Sequence, residues 1–64
     1  MQPTVDQAFA CLRVCQMLSN CFQPIHLFRY DDSTGRVFMI AGVTENLEIV
    51  VYSNGFWEFA DEQT

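Results

Sequence analysis

The most reactive side chains of the sequence are three cysteines and one histidine in its first half. Cysteine thiolates and imidazole nitrogens bind tetrahedral Zn²⁺, and a cysteine beside a histidine can act as a nucleophile. The candidates are Cys11, Cys15, Cys21 and His26. Zinc-binding cysteines usually come in pairs with two to four residues between them, and among the three cysteines only Cys11 and Cys15 have this spacing. Because these two also share the apolar face of a predicted helix, we expect them to pack as small hydrophobes, with metal binding or redox sensing as the alternative.

The acidic residues and glycines point to turns rather than to catalysis. Asp31, Asp32 and Glu58 are candidate paired carboxylates, but the two aspartates fall in a predicted turn, where such side chains bond the local backbone. The three glycines are isolated and form no phosphate-binding loop. No carboxylate is assigned beside His26, so no orienting group for a catalytic base is apparent. The sequence therefore predicts no catalytic residue, no metal site, no cofactor and no enzymatic activity.

The size and charge of the chain limit its class. Its 64 residues, at 7.4 kDa, predict one small domain over residues 1–64. The net charge is −5, with three arginines and no lysine, which disfavours nucleic acid and anionic membranes as partners. We find no pattern of a signal peptide or a transmembrane segment, and three cysteines cannot close into a complete disulfide framework. We therefore expect a cytoplasmic protein.

The first third of the chain predicts one amphipathic helix. Thr4 and Gln7 have the spacing of a capping box, and the helix is expected from Val5 to about Asn20. Pro24 prevents its continuation. At 100° per residue, one face carries the apolar side chains, and the opposite face is polar. The expected apolar face consists of Ala8, Cys11, Cys15, Leu18 and Phe22.

After Pro24 the sequence is typical of strands joined by hairpins. Runs of β-branched and aromatic residues alternate with turn signals, and the connections are too short for parallel crossovers. We expect a left-handed Gly35 in the first hairpin loop and a two-residue turn at Asn54 and Gly55. The predicted strands are residues 25–30, 37–41, 47–52 and 56–60. The predicted fold class is α+β, with one N-terminal helix packed on a four-stranded antiparallel meander, and the alternative is a small curled SH3-like barrel with an N-terminal helix.

The expected strand pairing makes both faces of the sheet apolar. With a two-residue turn, Tyr52 faces Trp57, which places Val50 and Phe59 on the same side as this pair. One helix covers only one face, so the other must be buried by barrel closure, a second copy of the chain or a different protein. The residues we expect to bind a partner are Phe28, Tyr30, Tyr52, Trp57 and Phe59. These are aromatic side chains of the kind enriched in interfaces, although core packing explains them as well.

Three segments resemble a family of short acidic proteins of unknown function that is associated with cyanobacteria. They are residues 15–31 (CQMLSNCFQPIHLFRYD), 34–42 (TGRVFMIAG) and 54–59 (NGFWEF). The family has no assigned activity or site residues. Its members tend to be encoded near another small uncharacterised protein, so the resemblance implies a small protein partner.

The sequence therefore predicts a non-enzymatic protein-interaction module. It would form a homodimer or bind another small protein, as one half of a regulatory or toxin–antitoxin-like pair. The alternative function is a thiol- or metal-dependent sensor that uses the cysteines. A small-ligand pocket between helix and sheet is a third interpretation, although so short a chain rarely encloses a large cavity.

Overall fold

A computed structural model of the chain describes residues 2–60. Its helix, α1, spans Val5–Asn20 and begins at the predicted capping box. The Thr4 hydroxyl accepts a hydrogen bond of 3.0 Å from the Gln7 backbone N–H, and the Gln7 side-chain oxygen accepts one of 3.3 Å from the Thr4 N–H. Both of these donors would lack a partner at a bare helix start, so the box determines where α1 begins.

The helix ends in a tight turn that brings the chain back to the sheet. The Phe22 N–H donates to the Ser19 carbonyl, and the Gln23 N–H donates to the Leu18 carbonyl, which is the pattern of a Schellman motif. Phe22 occupies the left-handed position of this motif, with φ of 58°, and its side chain is 89% exposed. The prediction that Phe22 belongs to the apolar helix face is therefore wrong.

The remaining chain forms one antiparallel sheet with strand order β1-β2-β3-β4. Its strands are β1 (Ile25–Asp31), β2 (Arg36–Ala41), β3 (Leu47–Val51) and β4 (Trp57–Phe59). This confirms the predicted α+β fold of one helix and a four-stranded meander. Because β1 and β4 are the two edges, the sheet is open and the alternative of a closed barrel is wrong.

The hydrophobic core lies between α1 and one face of the sheet. It contains Ala10, Cys11, Val14 and Leu18 from the helix and Val37, Met39, Ala41, Ile49 and Val51 from the two central strands. The predicted helix face is right for Cys11 and Leu18, and Cys15 packs against this core, but Ala8 is exposed.

Neither α1 nor any other helical stretch among residues 2–60 has the length and apolarity needed to cross a membrane.

Gln7 is a fully buried polar residue at the end of this core. Its side-chain nitrogen donates one hydrogen bond of 2.9 Å to the Gly35 carbonyl and another of 3.0 Å to the Val51 carbonyl. Both hydrogens of the amide are thus used. Gln7 joins the first turn of α1 to the first hairpin loop and to the end of β3, which fixes the position of the helix across the sheet.

The second hairpin loop also packs against the helix start. The Thr4 hydroxyl donates to the Ser53 carbonyl. Gly55 has φ of +89°, and a Cβ built on it would lie 3.1 Å from the Asp6 carbonyl oxygen. Only glycine combines this backbone conformation with so close an approach.

Substitution Gln7→Met is expected to lower the free energy of unfolding by about 2 kcal/mol, because methionine fills the same space but leaves two carbonyls without their donor. Urea denaturation followed by circular dichroism measures this. The matched control is Gln16→Met at an exposed position of the same helix, which should change the value by less than about 0.5 kcal/mol. Equal effects of the two substitutions would contradict the role assigned to Gln7.

Gly55→Ala is expected to cost about 2 kcal/mol of unfolding free energy, since it adds a steric contact with the helix to an unfavourable φ. Gly35→Ala is the control, because Gly35 also has a positive φ, of +70°, but a Cβ there would meet only the Tyr30 hydroxyl, at 4.0 Å. We expect Gly35→Ala to lower the free energy of unfolding by about 1 kcal/mol. Urea unfolding of both variants measures which substitution costs more unfolding free energy. A larger loss of stability for Gly35→Ala than for Gly55→Ala would refute the role assigned to Gly55.

Candidate functional site

The sheet has a second face that points away from α1. Side chains alternate along each strand, so the neighbours of the core residues in β2 and β3 lie on the opposite side of the sheet. We call this side the outer face. It consists of Leu27, Arg29, Asp31, Arg36, Phe38, Ile40, Glu48, Val50, Tyr52, Glu58 and Ala60.

The centre of the outer face is apolar and its margin is charged. Phe38 and Ile40 are half-buried although no other element of residues 2–60 packs over them, and Leu27 is 39% exposed. A depression of about 250 Å³ lies over this region. It is lined by Leu27, Arg29, Phe38, Met39, Ile40, Glu48, Ile49 and Ala60. An apolar centre with a charged rim is the usual composition of a protein-binding surface.

One row of residues crosses the outer face from edge to edge. The strand register places Arg29 beside Phe38, Phe38 beside Val50, and Val50 beside Glu58. We call these four residues the central row. It begins with a positive charge on β1, continues through two apolar side chains, and ends with a negative charge on β4.

Polar contacts fix one corner of the outer face. The Tyr52 hydroxyl donates a hydrogen bond of 2.6 Å to Glu58 Oε2, and this bond raises the pKa of Tyr52. The Arg36 guanidinium lies over the Tyr52 ring, 5.1 Å from its centroid. The ring of Tyr52 also stacks on Phe56, with centroids 5.8 Å apart. These contacts hold the carboxylate at the end of the central row in a defined position.

The five residues predicted to bind a partner do not share one face. Four of them, Phe28, Tyr30, Trp57 and Phe59, lie on the side of the sheet that α1 covers. Tyr30 and Trp57 pack against the core there, while Phe28 and Phe59 are each 50% exposed at its margins. Tyr52 lies on the outer face, so the expected grouping of Tyr52 with Trp57 and Phe59 is wrong. Their part in partner binding stays a prediction.

The predicted face of Tyr52 is wrong because the loop of the second hairpin is one residue longer than expected. The expected two-residue turn would pair Tyr52 with Trp57, whereas the structure pairs Val51 with Trp57 and closes a three-residue loop. In this loop the Tyr52 N–H donates to the Phe56 carbonyl at 2.7 Å. The Phe56 N–H donates instead to the Asn54 side-chain oxygen, at 2.9 Å. A side chain thus replaces a backbone partner, and a shift of one residue reverses the faces.

The first hairpin shows the same kind of shift. The predicted loop begins at Asp31, but Asp31 still belongs to β1 and pairs with Arg36, so Tyr30 lies opposite Val37. Gly35 has the predicted left-handed conformation. The shift places Phe28 and Tyr30 on the side of the sheet opposite Phe38.

A second exposed apolar surface lies on the solvent side of α1. Val5 is 71% exposed, Phe9 58% and Leu12 62%, and their spacing places them in one stripe along the helix. The next positions of that stripe, Gln16 and Ser19, are polar and exposed. The apolar stripe is thus about two turns long, and Asp6 and Arg13 flank it beside Phe9.

The candidate reactive residues are spread over different environments. Cys11 is buried, Cys15 is half-buried and Cys21 is exposed. Burial raises the pKa of the Cys11 and Cys15 thiols, and the neighbouring Cys15 raises that of Cys11 further. The His26 Nε2 atom lies 2.8 Å from the Gly42 carbonyl, so this ring nitrogen donates a structural hydrogen bond. Among residues 2–60, no three His, Cys, Asp or Glu side chains come together as a metal site.

Asp31 has the turn role that the sequence predicts. Its carboxylate accepts hydrogen bonds from the hydroxyl and the backbone N–H of Ser33 and from the Thr34 hydroxyl. The Ser33 bonds are the main reason why the pKa of this carboxyl is lowered, with Thr34 and the charge of Arg29 contributing. A carboxyl with a lowered pKa is ionised at neutral pH, which does not suit a general acid.

The three thiols are expected to react in the order Cys21, Cys15, Cys11 with iodoacetamide at pH 8. The thiolate is the reactive form, so a raised pKa slows alkylation in addition to burial. Mass spectrometry of timed samples identifies each modified residue, and Cys21→Ser should remove the fastest phase. Equal reactivity of all three thiols in denaturant is the control. Rapid alkylation of Cys11 in the folded protein would contradict this order.

Comparison with known proteins gives one match. The model of a family described as a domain of unknown function (DUF6888) matches residues 2–58. No curated protein and no solved structure matches the chain significantly.

Proposed function

The chain belongs to the family described as a domain of unknown function (DUF6888), and we propose from its structure that it is a non-enzymatic protein-interaction module that binds through the outer face. The observation that carries the proposal is the layer arrangement. One helix covers one face of a sheet whose opposite face has an apolar centre. Sheet faces of this composition are normally buried by a second layer.

The composition of the outer face supports a protein as the occupant. The apolar centre is formed by Phe38, Ile40 and Leu27, and charged or phenolic side chains surround it. Arginine and tyrosine, which are enriched in interfaces, are both present at its margin as Arg36 and Tyr52. The net charge of −5 argues against nucleic acid and anionic membranes. The proposed occupant is a second copy or another small protein.

The placement of the cysteines favours this function over a thiol- or metal-dependent sensor. A sensing thiol has a low pKa and is accessible, whereas burial raises the pKa of Cys11 and Cys15. The exposed Cys21 belongs to no cluster of three metal-binding side chains among residues 2–60. The proposal includes a reducing, cytoplasmic location, in which the three free cysteines stay as thiols.

Phe38→Lys is expected to abolish binding at the outer face. The aliphatic part of lysine still covers Val50, but its ammonium group enters the centre of the interface, where desolvation is costly. Leu12→Lys is the matched control, because it makes the same charge change on the exposed helix stripe. Both variants should keep the circular dichroism spectrum of the wild type, and Ile40→Lys repeats the test if Phe38→Lys does not fold.

The measurement combines native mass spectrometry of the purified protein with affinity capture from an extract of the source cells. We expect a dimer, or one stoichiometric protein partner, that is lost with Phe38→Lys and retained with Leu12→Lys. A wild-type protein that binds neither itself nor a partner would refute the proposal. An association lost only with Leu12→Lys would refute it as well and assign binding to the helix.

A further inference from the structure

We propose that the occupant of the outer face is a second copy of this chain, packed sheet to sheet about a two-fold axis parallel to the strands. In this dimer Arg29 of each copy pairs with Glu58 of the other. The inference rests on the proposed function, because it names the partner of the same surface. The observation that carries it is the charge pattern of the central row.

The central row is complementary to itself. It reads Arg29, Phe38, Val50, Glu58 across the four strands. A two-fold axis parallel to the strands, passing between β2 and β3, places β1 of one copy over β4 of the other. The positive end of each row then lies over the negative end of the other, and Phe38 lies over Val50. A two-fold interface requires this kind of self-complementarity.

The dimensions of packed sheets allow these contacts. Face-to-face sheets lie about 10 Å apart with their strands rotated by about 30°, a distance that an arginine and a glutamate side chain bridge together. The rotation displaces the ends of the row by only a few ångströms, which the long Arg29 side chain accommodates. Tyr52 holds the Glu58 carboxylate in place through its hydrogen bond, and the second carboxylate oxygen stays available.

The neighbouring rows are compatible with the same axis. On one side, Arg36 of one copy lies over Tyr52 of the other, which repeats the cation–π contact that these residues make within a copy. On the other side, Leu27 lies over Ala60, and Ile40 lies over the aliphatic part of Glu48.

The alternative two-fold axis is electrostatically unfavourable. An axis that passes through the central row, parallel to the sheets but perpendicular to the strands, places β1 over β1 and β4 over β4. Arg29 then faces Arg29 and Glu58 faces Glu58, and like charges in contact weaken association. Of these two axes through the central row, its charges therefore favour the one parallel to the strands.

A charge-exchange experiment tests this arrangement. Sedimentation equilibrium from about 1 µM to about 1 mM protein gives the dimer Kd of the wild type. Arg29→Glu and Glu58→Arg should each raise this Kd about tenfold, because each replaces two attractive contacts with two repulsive ones. An equimolar mixture of the two variants should return a heterodimer with a Kd near that of the wild type, since every cross-copy contact in it joins opposite charges.

Two further variants control the experiment. Arg13→Glu makes the same charge change on the helix and should leave the Kd within about twofold of the wild type. Glu58→Gln removes the charge but keeps a side-chain oxygen for the Tyr52 hydroxyl, so it tests the pair if Glu58→Arg does not fold. It should raise the Kd about threefold.

The outcomes separate this inference from the proposed function. A wild-type protein that is monomeric over the whole range overturns the dimer, as does a mixture of Arg29→Glu and Glu58→Arg that associates no better than either alone. If that monomer binds another protein in a manner sensitive to Phe38→Lys, the outer face is still an interaction surface and only the occupant is wrong. If it binds nothing, both the inference and the proposed function fail.

Discussion

The arrangement of the whole molecule depends on two hydrogen bonds from one amide group. The Gln7 side chain donates to a carbonyl of the first hairpin loop and to the last carbonyl of β3, so the start of α1 is fixed to two parts of the sheet at once. The same residue completes the capping box that begins the helix. A buried amide is unfavourable unless its hydrogens are bonded, which gives the helix a single position along the strands. This interaction holds the helix in place over the apolar face of the sheet that becomes the core.

The outer face is the side of the sheet that α1 does not cover. The four strands follow one another through short connections, so no second helix lies between them, and α1 packs on the inner side. The outer side keeps Phe38, Ile40 and Val50 on its two central strands, with Arg29 on one edge strand and Glu58 on the other. The apolar stripe on α1 is more exposed residue by residue, but it ends after Leu12. The outer face of the sheet carries its apolar residues on β1, β2 and β3, with Arg29 and Glu58 at opposite edges, where they can orient a partner.

Local signals in the sequence predict the elements, whereas the pairing between elements requires the structure. The capping box at Thr4, Pro24 and the left-handed glycines depend on a few neighbouring residues, and the helix and the four strands lie close to where these signals place them. The face of the sheet on which each side chain lies depends on the exact length of the hairpin loop, because a shift of one residue moves every side chain to the other face. Asn54 bonds Phe56 through its side chain and Asp31 remains in β1, so each predicted register is shifted by one. The burial of Gln7 cannot be predicted from the sequence, because its hydrogen-bond partners are distant along the chain. The central row cannot be predicted for the same reason, since it joins four strands.

The bond between Gln7 and Val51 also has a consequence for how the chain is made. The two residues are 44 positions apart in sequence. At synthesis rates of about 5 to 20 residues per second, Val51 is added about 2 to 9 seconds after Gln7. Until then Ala10, Val14 and Leu18 lack their packing partners in β3. The core can therefore close only after the third strand has been synthesised.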